Sequence, residues 1–257
     1  MTALKHWALP SLCIAVSLAM ATPAAQADCD RQGFSIAVDI GHTAQSPGAV
    51  SARGLPEFMF NMALGRDVVT ALQAAGFNAR PIIVEGTGKD QLSRRVAEAN
   101  AQATDLLISI HHDSVQEKYL TQWRFAGEKQ RYADRFSGFS IFVSRANPRF
   151  EASIAFARAL GRNLQAAGQE FSTHHAEKIP GENREMLDAA QGVFEFRNLR
   201  VLKETQTPAV LLEAGLIVNR TEELALATPS RRNATAQAIV AAATAMCAAQ
   251  LQAVVLR

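Results

Sequence analysis

Two histidines and two glutamates in this chain stand where a hydrolytic metal site would need them. His42 follows the apolar run Ile36-Ala37-Val38-Asp39-Ile40-Gly41, and His111 follows Leu106-Leu107-Ile108-Ser109-Ile110. Glu213 follows Ala209-Val210-Leu211-Leu212. Ligands and chemistry gather at the carboxyl ends of the strands in an open α/β sheet, so three such ends can converge on one site. Glu57 comes from the Gly54-Leu55-Pro56-Glu57 turn downstream of the first run. Two imidazoles and a carboxylate around one ion, with a second carboxylate nearby, make a zinc-hydrolase arrangement, and Zn2+ is the expected cofactor.

Each residue has its own reason. Gly41 permits a tight turn that frees the His42 ring to project from the strand end. Side chains alternate across a strand, so only one of His111 and His112 faces the site; His111 is expected there, with His112 a hydrogen-bonding neighbour. An acid entering a helix, as Glu57 does, is favoured by the helix dipole. Glu213 lies between Leu212 and Ala214 and reads as buried. Buried carboxylates are rarely structural unless paired, and perturbed acids cluster at functional sites. Asp39 is expected to orient a histidine through its free ring nitrogen.

The elements that must carry these residues alternate between strand and helix. Strands are predicted at 34–40, 77–84, 106–110 and 138–143, and a last pair at 199–202 and 210–212. Helices are predicted at 58–75, 90–103, 151–167 and 228–251, the first and third closed by Gly76 and Gly168. The continuous apolar run at 106–110 indicates a strand buried on both faces. The pattern implies an α/β single domain, a twisted, mostly parallel sheet flanked by helices on both faces. Two polar stretches, 115–136 and 171–196, break the alternation and read as long functional loops. Acids and histidines of the second (His174, His175, Glu177, Glu182, Glu185) could approach the metal, although a mobile substrate-gripping loop is the preferred reading.

With 257 residues, 48% of them hydrophobic and 19% charged, the chain can bury a large core, which excludes global disorder. Its formal charge of +2 gives no reason to expect nucleic acid as a partner. Residues 1–27 read as a cleavable signal peptide: Lys5, an apolar run to Met20, then Ala25-Gln26-Ala27. The catalytic domain is then 28–257, and no stretch is expected to span a membrane in the mature form. Cleavage leaves Cys29 and Cys247, which an oxidising compartment would favour joining.

Taken together, four ordered blocks resemble the zinc-dependent N-acetylmuramoyl-L-alanine amidases. They are Ile36–His42, Gly54–Glu57, Leu107–His111 and Val210–Asn219, and the Arg94/Arg95…Ala99-Asn100…Asp105 stretch is also similar to that family. The resemblance runs from Phe34 to the last helix. It implies a zinc held by His42, Glu57 and His111, with Glu213 as catalytic acid/base. It further implies a peptidoglycan or muropeptide substrate cut between N-acetylmuramic acid and L-alanine, and a periplasmic or secreted enzyme. His111-His112-Asp113 departs from the His-Ala-Asn of many members, which leaves a swapped ligand open. Only Ser144–Phe150 follows the strand after which some members carry an autoinhibitory helix, so none is expected; an activator protein is left unassigned. A zinc peptidase acting on stem peptides and a non-catalytic wall-binding relative are the alternatives.

Overall fold

The computed structural model describes residues 29–101 and 103–255; the signal peptide assigned to 1–27 lies outside them. In chain order the elements are β1 (Ser35–Ile40), α1 (Glu57–Ala74), β2 (Asn78–Ile82), α2 (Gly88–Ala101) and β3 (Leu106–Asp113). There follow β4 (Thr121–Phe125), β5 (Glu128–Tyr132), β6 (Ser140–Val143), α3 (Phe150–Ala166), β7 (Met186–Asp188) and β8 (Val193–Glu195). The chain closes with α4 (Arg200–Glu204), β9 (Ala209–Leu216), α5 (Glu222–Leu226) and α6 (Pro229–Val255). Seven strands form one mixed sheet in the order β2-β1-β3-β9-β6-β8-β7. β2, β1, β3 and β9 are mutually parallel, so the carboxyl ends of β1, β3 and β9 share one edge. β6 runs antiparallel to β9 and parallel to β8, and β7 is antiparallel to β8.

The central strands bury both faces, as their unbroken apolar runs require. On one side Ile36, Val38, Ile108 and Val210 pack with Leu64 and Val68 of α1, Phe156 and Leu160 of α3, and Ile239 of α6. On the other, Ala37, Leu107 and Leu211 meet Ala99 of α2 and Val201 and Leu202 of α4. Both glycine stops act as expected. Gly76 (φ 91°) and Gly168 (φ 77°) take left-handed backbone, and the amides of Phe77 and Gln169 reach back to the carbonyls of Leu72 and Leu164.

Several sequence expectations are corrected. Residues 199–202 form no strand but enter α4, since a four-residue apolar run cannot separate strand from buried helix. The 115–136 stretch contains the β4–β5 hairpin, turned by Ala126 and Gly127 at φ 51° and 86°. Thr-Gln-Trp-Arg-Phe does alternate, with Trp123 and Phe125 on one face, but its partner Glu-Lys-Gln-Arg-Tyr is polar up to its last residue, so the pair carries only half of a hairpin signal. The 171–196 stretch supplies β7 and β8 at the sheet edge instead of forming a free loop. Over Pro229–Leu251, α6 is long and apolar enough by length and composition to cross a membrane, contrary to expectation. Alanine supplies much of that apolarity, and Ala236, Ile239, Ala242 and Ala243 are buried in the core cluster.

Cys29 and Cys247 are joined, with Cα atoms 5.5 Å apart across 218 residues of sequence. Loss of a bond closing so long a loop typically costs about 2–5 kcal/mol. The melting temperature should therefore fall by on the order of 5–15 °C in Cys247→Ser. Reductant should lower the melting point of the native chain and leave the variant unchanged; equal melting of the native chain with and without reductant would exclude the bridge.

Candidate metal centre and active site

The carboxyl-terminal ends of β1 and β3 and the first turn of α1 bring His42, His111 and Glu57 together. Glu57 lies between the rings: its Oε2 is 2.9 Å from His42 Nε2, and its Oε1 is 3.1 Å from His111 Nδ1. These donor atoms lie within 4.8 Å of one another. Ligand atoms about 2.0–2.1 Å from a tetrahedral zinc sit roughly 3.3 Å apart, so the spacing suits one ion. The nitrogen and carboxylate donors also fit zinc's preferences.

Two glycines leave the space that this clustering needs. A Cβ on Gly41 would fall 2.3 Å from His111 Nε2. On Gly48 it would fall 2.4 Å from Glu57 Oε2 and 2.7 Å from His42 Nε2, and Gly48 also has φ 81°. The turn itself differs from expectation. His42, not Gly41, takes the left-handed conformation, at φ 64°. Such backbone stores on the order of 1–3 kcal/mol and persists only where its surroundings hold it. Here Arg95 holds it, donating to the carbonyls of Ile40 and His42 while ion-paired with Asp39. Asp39 also accepts from Ser109 Oγ at 2.7 Å. The expected contact from Asp39 to a histidine is thus replaced by an indirect one, through Arg95 to the His42 backbone.

His112 faces away from the triad. Its Nδ1 donates to Asn61 Oδ1 at 2.8 Å, and its ring packs 5.6 Å from that of Phe60. Burial lowers its pKa to about 3, so the ring is neutral. Asn61 Nδ2 in turn donates to Glu57 Oε1 at 3.1 Å and to the Gly41 carbonyl at 3.2 Å. Asn61 was missed in the sequence, although its place four residues after Glu57 on one helix face could have revealed it. Glu57 Oε2 also accepts the Ala49 amide at 3.1 Å. Burial works to raise the Glu57 carboxyl, but hydrogen bonds from His111 and His42, and their charges, hold it well below the usual carboxylate range.

Glu213 occupies β9 directly beside His111, in register with it across the parallel ladder. Just beyond, β9 carries an extra residue relative to β3, since Asp113 pairs with Leu216. Burial raises the Glu213 carboxyl well above the ordinary value, and the charges of Asp113 and Glu57 raise it further. Its buried Oε2 has no hydrogen-bond partner among the described residues. An acid kept this way, next to three metal donors, is suited to exchanging a proton with a reacting molecule. His174 and His175 do not join this cluster; they gather on Asp113 instead.

Residues 36–245 match the sequence profile of a family described as N-acetylmuramoyl-L-alanine amidase. The chain is 25% identical over 229 residues to the N-acetylmuramoyl-L-alanine amidase AmiC of Neisseria meningitidis serogroup B, covering 79% of this chain and 50% of that protein. It therefore spans half the length of that relative. A putative N-acetylmuramoyl-L-alanine amidase of Buchnera aphidicola subsp. Schizaphis graminum is 23% identical over 230 residues, covering 79% of this chain and 91% of the other. The crystal structure of the N-acetylmuramyl-L-alanine amidase Ami1 from Mycobacterium smegmatis shares the fold, with a TM-score of 0.65, 21% identity, and 86% of this chain and 100% of that one covered. A profile spanning most of the chain settles its membership: this protein belongs to the N-acetylmuramoyl-L-alanine amidase family.

Proposed function

We propose that the chain is a zinc-dependent hydrolase that cuts peptidoglycan between the lactyl carbonyl of N-acetylmuramic acid and the L-alanine of the stem peptide. The observation that carries this reading is the meeting of His42, Glu57 and His111 donor atoms beside Glu213, whose buried Oε2 has no hydrogen-bond partner among the described residues. The three residues would hold the zinc through His42 Nε2, the Glu57 carboxylate and His111 Nδ1. Bound there, zinc would supply Lewis acidity, lowering the pKa of water to about 7 and polarising the amide carbonyl. Glu213 takes a proton as water attacks the lactyl amide carbon, then delivers it to the departing L-alanine amine. Arg95 and Asn61 keep the ligands aimed, through the His42 backbone and the Glu57 carboxylate. The substrate polymer lies outside the cytoplasm, so the signal-like residues 1–27 fit an exported enzyme, with the periplasm as its proposed site.

Digestion of purified peptidoglycan followed by mass spectrometry tests the bond assignment. The expected products are intact stem peptides with a free amino-terminal L-alanine and glycan strands with free lactyl groups. Stem peptides cut internally would indicate a zinc peptidase. Wall binding without any product would indicate a non-catalytic relative. Chelation should abolish product release, and added zinc should restore it.

A further inference from the structure

We propose that Asp113, His174 and His175 form a second divalent-metal site, a zinc staple that fastens the 171–196 segment to β3 beside Glu213. Two ring nitrogens converge there on one carboxylate oxygen. His175 Nε2 is 2.8 Å and His174 Nε2 3.2 Å from Asp113 Oδ2, and the three donors lie within 4.8 Å of one another. These separations match the roughly 3.3 Å edge of a tetrahedral zinc site about as closely as those around Glu57 do.

The far sides of the two rings are already anchored. His175 Nδ1 donates to Glu182 Oε2 at 2.9 Å, and His174 Nδ1 lies 2.8 Å from Ser172 Oγ. A histidine that donates one ring N–H to a carboxylate or another acceptor, and turns its other nitrogen inward, is the usual supported metal ligand. Without an ion His175 gives one N–H to Glu182 and the other to Asp113; a divalent cation would take the place of the proton on Nε2, with Nδ1–H still held by Glu182. His174 adds a further sign. Its side chain is 3% exposed, and its Nε2 stands 3.2 Å from Asp113 Oδ2 without making a hydrogen bond among the described residues. The donor set of two imidazoles and one carboxylate suits zinc.

The position gives the staple a consequence. Asp113 stands two residues after His111 on β3, and its charge acts directly on Glu213. β7 and β8 of the 171–196 segment are paired into the sheet, while its 3-10 turn carrying His174 and His175 is placed by contacts such as Tyr119 and Arg135 with Glu177 and the His175 ring with Phe142. An ion at Asp113 would fix this segment against the sheet at the edge of the reaction centre. This inference does not depend on the catalytic reading.

The test is zinc stoichiometry by native mass spectrometry on untagged chain, stripped with chelator and re-equilibrated with Zn2+ alone. The native chain should carry two ions, His175→Gln one, His42→Ala one, and the double variant none. A single ion that His42→Ala removes and His175→Gln retains would overturn the second site while leaving the catalytic zinc intact. A single ion with the opposite pattern would uphold the second site and sink the catalytic one. Should His175→Gln fail to fold by circular dichroism, Glu182→Gln decides, because it leaves every ligand atom in place. Its second zinc should bind about 10–100-fold more weakly in competition with a chromophoric chelator; unchanged affinity would overturn the proposal.

Discussion

Glu213→Gln should lower kcat by about a hundred- to ten-thousand-fold, with zinc at the catalytic position retained. Glutamine keeps the shape of the side chain and removes only its capacity to carry a proton between water and leaving amine. Because Glu213 is not among the three clustered donors, its replacement leaves His42, Glu57 and His111 in place. Stability should not fall. Burial opposes ionisation of the native carboxyl, as do the charges of Asp113 and Glu57, and its Oε2 has no hydrogen-bond partner among the described residues. A neutral amide of the same shape replaces a carboxyl whose charged form this setting disfavours, so the variant should melt close to the native temperature. Metal analysis, turnover on purified peptidoglycan and thermal melting therefore separate a proton carrier from a ligand or a structural acid. Full turnover with zinc bound would remove Glu213 from the mechanism.

The parts of this site that were legible in the sequence are those set by burial and topology. The apolar runs of β1, β3 and β9 have no polar alternation, so each demands a central strand, and parallel neighbours must end at one edge. That reasoning reaches His42, His111 and Glu213 without a structure. It cannot reach contacts made by an absence of atoms or by backbone. Gly41 looks like a turn residue, yet its role is to clear space for the His111 ring. Gly48 shows only as punctuation beside Pro47, and Arg95 acts on carbonyl oxygens that carry no sequence signal. The β4–β5 hairpin escaped notice for a related reason. It is held outside the core by contacts such as Trp123 Nε1 to the Ala52 carbonyl at 2.9 Å and Arg220 stacked 3.7 Å from the Tyr132 ring centroid. Its first strand alternates through Trp123 and Phe125, but the second is polar up to Tyr132, which leaves the pairing without a matching period.

Gly41→Ala should lose zinc affinity by at least about 10–100-fold, and activity with it, although it adds a single methyl group. The new Cβ would lie 2.3–2.5 Å from His111 Nε2, Cε1 and Cδ2, well inside any tolerated contact. Neither side has room to yield. Gly41 is hydrogen-bonded at its amide to the Ile110 carbonyl and at its carbonyl to Asn61. The His111 ring is fixed between Glu57 and the edge of the His42 ring, whose centroid is 4.9 Å away. Ring rotation is the cheapest escape, and it withdraws Nδ1 from the position shared with Glu57 and His42. Overpacking of this kind costs about 1–3 kcal/mol, so the fold should persist with a lowered melting point. Losing a ligand's aim should cost at least as much affinity as the roughly 10–100-fold typical of a lost supporting contact. Zinc titration of the folded variant checks this directly, and activity should return in part at high zinc. Native zinc affinity and turnover in Gly41→Ala would mean that His111 does not need its present place, and that the metal is held by other residues.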